Sequence, residues 1–308
     1  NQYDAVILDV NMPRMDGLQL LERLQKEKIK ATVIMVSTAT TKDADVTMLA
    51  MERGAIDFVT KPTNVIEAKG DQFKQRLLKV LTAVLKTARP AVGGTAAVQS
   101  AGKITLRQTK SSAKGGNKVV ALACSTGGPK ALQSVIPYLP KNLNAPMVLV
   151  QHMPEGFTKS MADRLNEVSP INVKEAADGD VLEKGTVYIA PGGKHMEVKK
   201  TADGRHKIQL NEMPPIGGLR PCANITYDSL RTCGYDEVVC VVLTGMGADG
   251  TNGILSLAKS KPVYVIAQNA QTCVVYGMPK AIVETGMVNE VVPLTEIAQT
   301  ITKNVGVQ

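Results

Sequence analysis

The sequence predicts an α/β protein in which two blocks with parallel sheets are joined by a linker. Short β-branched runs alternate with segments of helical periodicity in residues 1–89 and again in residues 118–308. Apolar residues make up 44% of the 308-residue chain, which is enough for two buried cores. Residues 90–117 are rich in Gly, Ala, Ser, Thr and Lys without sustained periodicity, a composition typical of a flexible linker.

The first block alternates strand and helix three times. We expect strands at "AVILDV", "TVIMVS" and "IDFVTKP", and helices at "GLQLLERLQKE", "VTMLAMERGA" and "FKQRLLKVLTAVLKTA". The last of these has apolar positions at helical spacing. Successive strands joined by crossover helices run parallel, so the block predicts a parallel sheet.

The second block is larger and also alternates strands and helices, with one interruption. We expect strands at residues 118–123, 147–151, 187–190, 238–244 and 263–267, with helices between most of them. In "YIAPGGKHMEVKKTADGRHKIQL", Asp203 and Gly204 lie between two alternating segments, which predicts a hairpin. The block is therefore predicted to be a doubly wound, mainly parallel α/β domain with an antiparallel hairpin.

The positive charge of the chain is concentrated in one stretch. The chain carries a net charge of +8, but residues 61–118 alone hold twelve Lys or Arg against Glu67 and Asp71. Aromatic residues are only 3% of the chain and Trp is absent, so the stacking surfaces of single-strand nucleic-acid binders are missing. We interpret the basic stretch as a solvated helix face with a tether and expect no nucleic-acid partner.

Other protein classes are disfavoured as well. No basic region followed by an apolar core opens the sequence, and the longest apolar runs, such as "VVCVVL", are too short to cross a bilayer. The five cysteines are odd in number and never spaced C-x-x-C, which argues against a disulfide framework and against zinc. We therefore expect a cytoplasmic monomer without membrane insertion.

Three polar residues follow three predicted strands of the second block. Ser125 follows the predicted strand "KVVALA" and Cys124, and Gly127 and Gly128 then turn the chain towards a helix. His152 follows "MVLVQ", and Asp249 follows "VVCVVLT" within "TGMGADG". Because the carboxyl ends of parallel strands meet at one edge of the sheet, these residues can supply a nucleophile, a base and an orienting acid.

Each residue also has a structural interpretation. Ser125 and Asp249 could simply cap the helices that follow them, and a histidine after a strand is often a hydrogen-bonded structural residue. His206 lies in the predicted hairpin and His195 near a Gly-Gly turn, so His152 is the best placed of the three histidines. The combination of Ser, His and Asp at three strand ends favours catalysis.

The glycines of "GMGADG" support a rival hypothesis. Gly245, Gly247 and Gly250 match the dinucleotide-binding pattern G-x-G-x-x-G after a strand. However, the next strand, "VYVIAQN", ends in Gln268 and Asn269 rather than in the acid that would bind a ribose, and a neighbouring carboxylate would repel a pyrophosphate. We rank nucleotide binding below hydrolysis.

The strands of the first block also end in polar side chains. Asp9 ends "AVILDV", Ser37 ends "TVIMVS", and Lys61 lies near the end of "IDFVTKP". A carboxylate, a hydroxyl and an ammonium at adjacent strand ends suit an acyl phosphate, with the ammonium neutralising the phosphoryl charge.

These motifs together resemble a known family. "LDVNMPRMDG", "MVS" and "GAIDFVTKP" resemble the receiver domain of two-component response regulators, which has a flavodoxin-like fold. "CSTGGPKAL", "QHMPEGFTKSMADRLN", "YIAPGGKHMEV", "LTGMGADG" and "AQNAQTCVVYGMPKAI" resemble the catalytic domain of the chemotaxis protein-glutamate methylesterase (CheB) family, in that family's order. The resemblance spans nearly the whole chain except the linker.

The resemblance implies a hydrolase with a triad of Ser125, His152 and Asp249. Its expected substrates are glutamyl methyl esters on methyl-accepting chemotaxis receptors, and it also implies deamidation of receptor glutamines. We expect the backbone N–H groups of Thr126 and Met246 to form the oxyanion hole. No cofactor is expected for the hydrolysis.

The resemblance further implies regulation through the receiver. Asp9 would be phosphorylated by the chemotaxis histidine kinase, with Ser37 and Lys61 as switch residues. Asp9 and the backbone carbonyl of Asn11 would bind Mg²⁺. In the family the receiver covers the catalytic crevice, and phosphorylation loosens that contact.

Two departures from the family pattern affect these expectations. The chain starts at Asn1, just before what would be the third strand of a receiver, so we expect the N-terminal half of that domain to be missing and phosphorylation and Mg²⁺ binding to be impaired. After Arg-Pro the family usually has Ser-Val-Asp, whereas Cys222, Ala223 and Asn224 stand here, and the sequence assigns them no role.

Overall fold

The computed structural model describes residues 3–38, 40–62, 71–88 and 116–308. The chain separates into two compact units, Asn1–Ala97 and Val98–Gln308, and each is described by itself. The predicted linker lies outside the described residues, apart from residues 116 and 117.

The first unit contains a three-stranded parallel sheet of order β1-β2-β3. Its elements are β1 (Val6–Asp9), α1 (Gly17–Lys26), β2 (Val33–Ser37), α2 (Thr41–Glu52), β3 (Asp57–Thr60) and α3 (Gln72–Ala88). The central strand β2 is buried along its whole length, as expected of a strand with neighbours on both sides. The sheet places the ends of β1, β2 and β3 side by side.

Helix α2 begins at Thr41, five residues before the apolar pattern predicts. Thr40 is the N-cap, and its hydroxyl accepts a hydrogen bond from the Asp43 backbone N–H at 3.2 Å. The polar first turn is helical because the cap satisfies a free donor, although it contributes little to the hydrophobic periodicity. The local start signal therefore determines this boundary.

The second unit is built on a seven-stranded parallel sheet of order β12-β11-β10-β4-β5-β7-β6. Its strands are β4 (Lys118–Cys124), β5 (Met147–Gln151), β6 (Asn172–Glu175), β7 (Thr186–Ile189), β10 (Glu237–Val242), β11 (Val263–Gln268) and β12 (Glu290–Val292). The helices are α4 (Gly128–Gln133), α5 (Phe157–Val168), α6 (Ala223–Ser229), α7 (Thr251–Ala258), α8 (Met278–Val283) and α9 (Ile297–Val305). Strands β8 (His195–Lys200) and β9 (His206–Asn211) form the separate antiparallel hairpin.

The predicted fold class is confirmed: a mainly parallel α/β domain with an antiparallel hairpin. Two short outer strands, β6 and β12, were not expected from the sequence. Both lie at the edges of the sheet, and neither carries the continuous apolar run that reveals its central strands. Strands β4 and β10 are buried at every position, which places the site-bearing strand ends on a rigid core.

Charged residues also lie inside this sheet. Lys118 and Glu237 are register partners on β4 and β10, and their side chains form an ion pair at 2.6 Å with about 5% exposure each.

Among the residues that the structure describes, none of the helices is both long and apolar enough to span a bilayer.

Candidate active site

Ser125 lies on a tight turn between β4 and α4. Its backbone N–H donates to the Thr244 carbonyl at 3.0 Å, and its carbonyl accepts from the Gly128 N–H at 2.6 Å. Gly127 has φ +78°, a left-handed conformation that favours glycine, and a Cβ there would lie 2.5 Å from the Val274 side chain. The turn therefore needs glycine to hold Ser125 at the strand end.

A second glycine lies directly against Ser125. A Cβ at Gly245 would approach Ser125 Cβ to 2.9 Å and Met278 Sδ to 2.4 Å. Gly245 is fixed from both sides, because its N–H donates to the Val275 carbonyl at 3.0 Å and its carbonyl accepts from the Met278 N–H at 2.8 Å. The loop after β10 is thus packed onto the serine turn.

His152 lies beside Ser125 because β5 is the neighbour of β4. Its backbone N–H donates to the Cys124 carbonyl at 3.2 Å, which continues the sheet register by one residue. Its Nε2 lies 2.7 Å from Asp249 Oδ2, so this nitrogen carries the proton when the carboxylate is ionised, and Nδ1 is left to act as the base. Within the described residues, no hydrogen bond joins the Ser125 hydroxyl to His152.

Asp249 is held by four donors in addition to His152. Oδ2 also accepts from the Ala223 N–H at 2.6 Å, and Oδ1 accepts from the Cys222 thiol at 3.2 Å and from the N–H groups of Asn224 and Gly250 at 3.0 Å each. Burial alone would raise the pKa of the Asp249 carboxyl, but the hydrogen bonds and the His152 partner lower it to about 2. The acid is therefore ionised at neutral pH.

The start of α6 therefore belongs to the site, although the sequence assigned no role to its residues. Cys222 is the N-cap position, and Ala223 and Asn224 direct their N–H groups at Asp249, where a carboxylate is favoured by the helix dipole. Burial, followed by the Asp249 charge, raises the pKa of the Cys222 thiol to about 12, so the thiol stays protonated and donates. The sequence signal at this segment is its departure from the family pattern after Arg-Pro.

The two predicted oxyanion donors lie on the loops beside Ser125. Within the described part of the chain, the N–H groups of Thr126 and Met246 donate to no protein acceptor. The Thr126 carbonyl accepts from the Thr244 hydroxyl at 3.0 Å, and that hydroxyl also accepts from the Val275 N–H at 3.0 Å. The loops that carry the two N–H groups are therefore tied together at one point.

Gln268, which ends the strand considered for dinucleotide binding, forms hydrogen bonds inside the protein. Gln268 is fully buried; its Oε1 accepts from the Thr244 N–H at 2.8 Å and its Nε2 donates to the Thr272 carbonyl at 2.8 Å. It is thus engaged in loop packing. The other two histidines, His195 and His206, are buried in the hairpin, and His206 stacks on a tyrosine ring.

The receiver residues are brought together only in part. Lys61 Nζ lies 2.6 Å from Asp9 Oδ2, and the Asn11 N–H donates to Asp9 Oδ1 at 3.3 Å. Ser37 is fully buried, and its hydroxyl accepts from the Thr47 hydroxyl at 2.8 Å. The carboxylate and ammonium therefore meet as expected, whereas the Ser37 hydroxyl is engaged in the interior.

The described residues do not form a Mg²⁺ site by themselves. Mg²⁺ requires near-octahedral oxygen ligands, usually with more than one carboxylate or substrate phosphate. Across residues 3–38, 40–62, 71–88 and 116–308, no group of three His, Cys, Asp or Glu side chains could hold a metal ion. Asp9 is neutralised by Lys61, and the Asn11 side chain donates to Asp43 Oδ1 at 3.1 Å.

Family models match both units of the chain. Residues 120–301 match the CheB methylesterase family, and residues 1–69 match the response regulator receiver domain. The first match includes Ser125, His152 and Asp249, and the second includes Asp9 and Lys61.

Similar proteins agree with these matches. The chain is 43% identical over 304 residues to protein-glutamate methylesterase/protein-glutamine glutaminase of Bacillus subtilis, covering 97% of this chain and 84% of that protein. It is 41% identical over 303 residues to the same-named protein of Geobacillus kaustophilus, covering 98% and 85%. The crystal structure of the Thermotoga maritima CheB methylesterase catalytic domain has 42% identity and a TM-score of 0.58, covering 61% of this chain and 98% of that one. The chain belongs to the CheB methylesterase family and carries a receiver domain ahead of its methylesterase domain.

Proposed function

We propose that Ser125, His152 and Asp249 hydrolyse glutamyl methyl esters on methyl-accepting chemotaxis receptors. The chain is a hydrolase of a family whose members are named protein-glutamate methylesterase/protein-glutamine glutaminase. The observation that carries the proposal is the 2.7 Å bond between His152 and Asp249, on loops that flank the strand leading to Ser125. This pairing gives a serine hydroxyl a base and an orienting acid.

The reaction proceeds in two half-reactions. His152 Nδ1 takes the hydroxyl proton as Ser125 Oγ attacks the ester carbonyl, and the imidazolium then gives that proton to the departing methoxy oxygen. Methanol leaves and a glutamyl-serine ester remains. His152 next takes a proton from water as the water oxygen attacks this ester. The proton returns to Ser125 Oγ and the receptor glutamate is released. Asp249 stays ionised throughout and stabilises the imidazolium.

The tetrahedral intermediates carry a negative oxygen that needs donors. The N–H groups of Thr126 and Met246 are the proposed donors, because no protein acceptor among the described residues uses them. Preorganised donors of this type contribute about a hundredfold to a thousandfold in rate each. Their position is supported by the Thr244 hydroxyl, which joins the two loops.

The same machinery extends to glutamine side chains. In deamidation, ammonia leaves in place of methanol, and all other steps are unchanged. The proposed partners are the receptors, as substrates, and the chemotaxis histidine kinase, as the phosphodonor. We place the protein in the cytoplasm as a monomer.

Regulation is proposed to act through Asp9 of the receiver. The 2.6 Å pair of Asp9 and Lys61 supports this, because the ammonium can neutralise a phosphoryl group on the carboxylate. We expect residues 118–308 alone to hydrolyse receptor esters faster than the unphosphorylated full-length protein with a complete receiver. Equal rates would contradict regulation by the receiver.

The hydrolytic proposal is tested by methanol release from methylated receptor. Ser125→Ala should abolish release while its circular dichroism and thermal unfolding match the parent. Ser134→Ala, which changes a serine at the end of α4, should keep full activity. Activity retained in Ser125→Ala would refute the triad, and a bound dinucleotide in the purified protein would favour the oxidoreductase alternative.

A further inference from the structure

Asn224 and Asp249 exchange hydrogen bonds across the starts of two helices. Asp249 Oδ1 accepts from the Asn224 backbone N–H at 3.0 Å, so Asp249 caps α6. In return, Asn224 Oδ1 accepts from the backbone N–H groups of Gly250 at 3.1 Å and Gly253 at 2.7 Å, so Asn224 caps α7. Each residue satisfies donors on the segment that carries the other.

The two helices touch backbone to backbone at this point. A Cβ at Gly253 would lie 2.7 Å from the Asn224 carbonyl oxygen and 2.8 Å from its Cα. Gly250, the residue directly after Asp249, has φ +94°, a conformation that glycine adopts readily, and its N–H donates to Asn224 Oδ1 at 3.1 Å. The Asn224 side chain therefore controls the position of the backbone that carries the acid.

Among the residues that the structure describes, few titratable groups interact with Asp249. The titratable groups that interact with it are His152 from the loop after β5, Cys222 before α6 and Tyr227 on α6. Burial raises the pKa of the Cys222 thiol to about 12 and that of the Tyr227 phenol well above its ordinary value, so both are neutral. Asn224 adds two acceptor contacts beside the carboxylate without adding a charge.

We propose that Asn224 is a positioning residue for the hydrolytic reaction: its side chain fixes the loop of Asp249 so that the carboxylate stays aimed at His152, without a second negative charge. This inference rests on the proposed function of the triad. Asn224 acts through Asp249 and has no contact with substrate in this assignment. An orienting acid that swings away leaves the imidazole in the wrong tautomer or direction, so the rate of the chemical step depends on Asn224.

Two substitutions separate geometry from charge. Asn224→Ala removes both acceptor contacts, and we expect kcat to fall about tenfold with KM unchanged. Asn224→Asp keeps an acceptor, so most of kcat should be restored. However, the added carboxylate favours protonated His152, and the acid limb of the kcat/KM profile should move to higher pH by about half a unit.

Asn289→Ala is the matched control. Asn289 is buried, whereas Asn224 is partly buried, and like Asn224 it accepts with its Oδ1 from a backbone N–H, that of Val265 on β11 at 2.8 Å. Asn289→Ala should lower the free energy of unfolding but leave KM and the acid limb of the kcat/KM profile unchanged.

Proton NMR tests the positioning role in the absence of substrate. The chain has three histidines, and the proton between His152 Nε2 and Asp249 is expected to give a downfield resonance. The resonance should be lost or broadened in Asn224→Ala and retained in Asn224→Asp and Asn289→Ala. Activity retained in Ser125→Ala would refute the proposed function without altering this result.

The proposal fails if Asn224→Ala keeps both the parental kcat and the downfield resonance. It fails equally if the acid limb of Asn224→Asp coincides with that of the parent. Should Asn224→Ala not fold, the acid limb of Asn224→Asp decides alone.

Discussion

The His152 imidazole donates to the Asp249 carboxylate at 2.7 Å, and the loops that carry them follow β5 and β10, the two neighbours of the strand that leads to Ser125. This bond selects the tautomer in which Nδ1 carries no proton and can serve as the proposed base. Four other donors keep the carboxylate ionised and immobile.

Asp249→Asn should lower kcat by about a thousandfold to ten-thousandfold, with the fold retained. An amide at this position cannot accept from His152 as an anion, so the productive tautomer and the imidazolium lose their stabilisation. Methanol release from methylated receptor measures the effect. Asp236→Asn, which changes an aspartate that accepts from the Asn117 N–H at 2.7 Å, is the control and should keep its activity.

Asp249 should also make the catalytic domain sensitive to acid. Its folded-state pKa of about 2 lies below the ordinary value of 3.8, so its stabilising contribution is complete above about pH 4 and is lost as pH falls towards 2. The shift corresponds to about 2 kcal/mol. Urea unfolding between pH 6 and pH 3 should therefore show a shallower pH dependence in Asp249→Asn than in the parent.

The control for this experiment is Asp163→Asn, which changes an exposed aspartate paired with Lys159 on the surface of α5. Its pH dependence of unfolding should match the parent closely, because exposed pairs contribute little. Identical slopes for the parent and Asp249→Asn would show that the carboxylate is not stabilised in the folded state.

Gly245→Ala should impair catalysis more than folding. The new Cβ would lie 2.9 Å from Ser125 Cβ and 2.4 Å from Met278 Sδ, so the serine turn must shift. A displacement of about 1 Å at the nucleophile costs about a hundredfold in rate. Gly234→Ala is the matched control, since the nearest atoms there lie at 3.4 Å on a flexible lysine side chain. A Gly245→Ala variant with parental kcat would contradict this account of the turn.

The receiver should react poorly with a small phosphodonor. Phosphorylation of a receiver is usually Mg²⁺-dependent, and in the described residues no group of three His, Cys, Asp or Glu side chains could hold a metal ion. Incubation with acetyl phosphate and Mg²⁺, read by intact mass, should leave most of the chain unmodified. A stable, stoichiometric adduct that is absent in Asp9→Asn would contradict this expectation.

Much of the fold could be predicted because its central strands are strongly apolar. Strands β4 and β10 are buried at every position, and such runs stand out in the sequence. The edge strand β6 could not be predicted in the same way, because it alternates exposed and buried residues over four positions and pairs on one side only. Sequence periodicity detects burial on both faces better than it detects an edge.

The position of the candidate site could also be predicted, since parallel strands bring their carboxyl ends to one edge. The partners of Asp249 could not, because the contact with Asn224 joins segments 25 residues apart through backbone groups. Similarly, the strand pattern indicates that Ser37 ends β2 but does not show that its hydroxyl bonds to Thr47 in the interior. Side-chain direction at a strand end depends on the packing of the following helix.

The mutual capping of α6 and α7 has a consequence for how this enzyme loses activity. The Asp249 loop is held by the starts of two short helices, and His152 lies on the opposite side of β4. Fraying of either helix would therefore misalign Asp249 and His152 while the seven-stranded sheet stays intact. Loss of turnover should therefore precede loss of bulk secondary structure on warming. The hydrolytic rate would then reveal damage to this domain at a lower temperature than circular dichroism does.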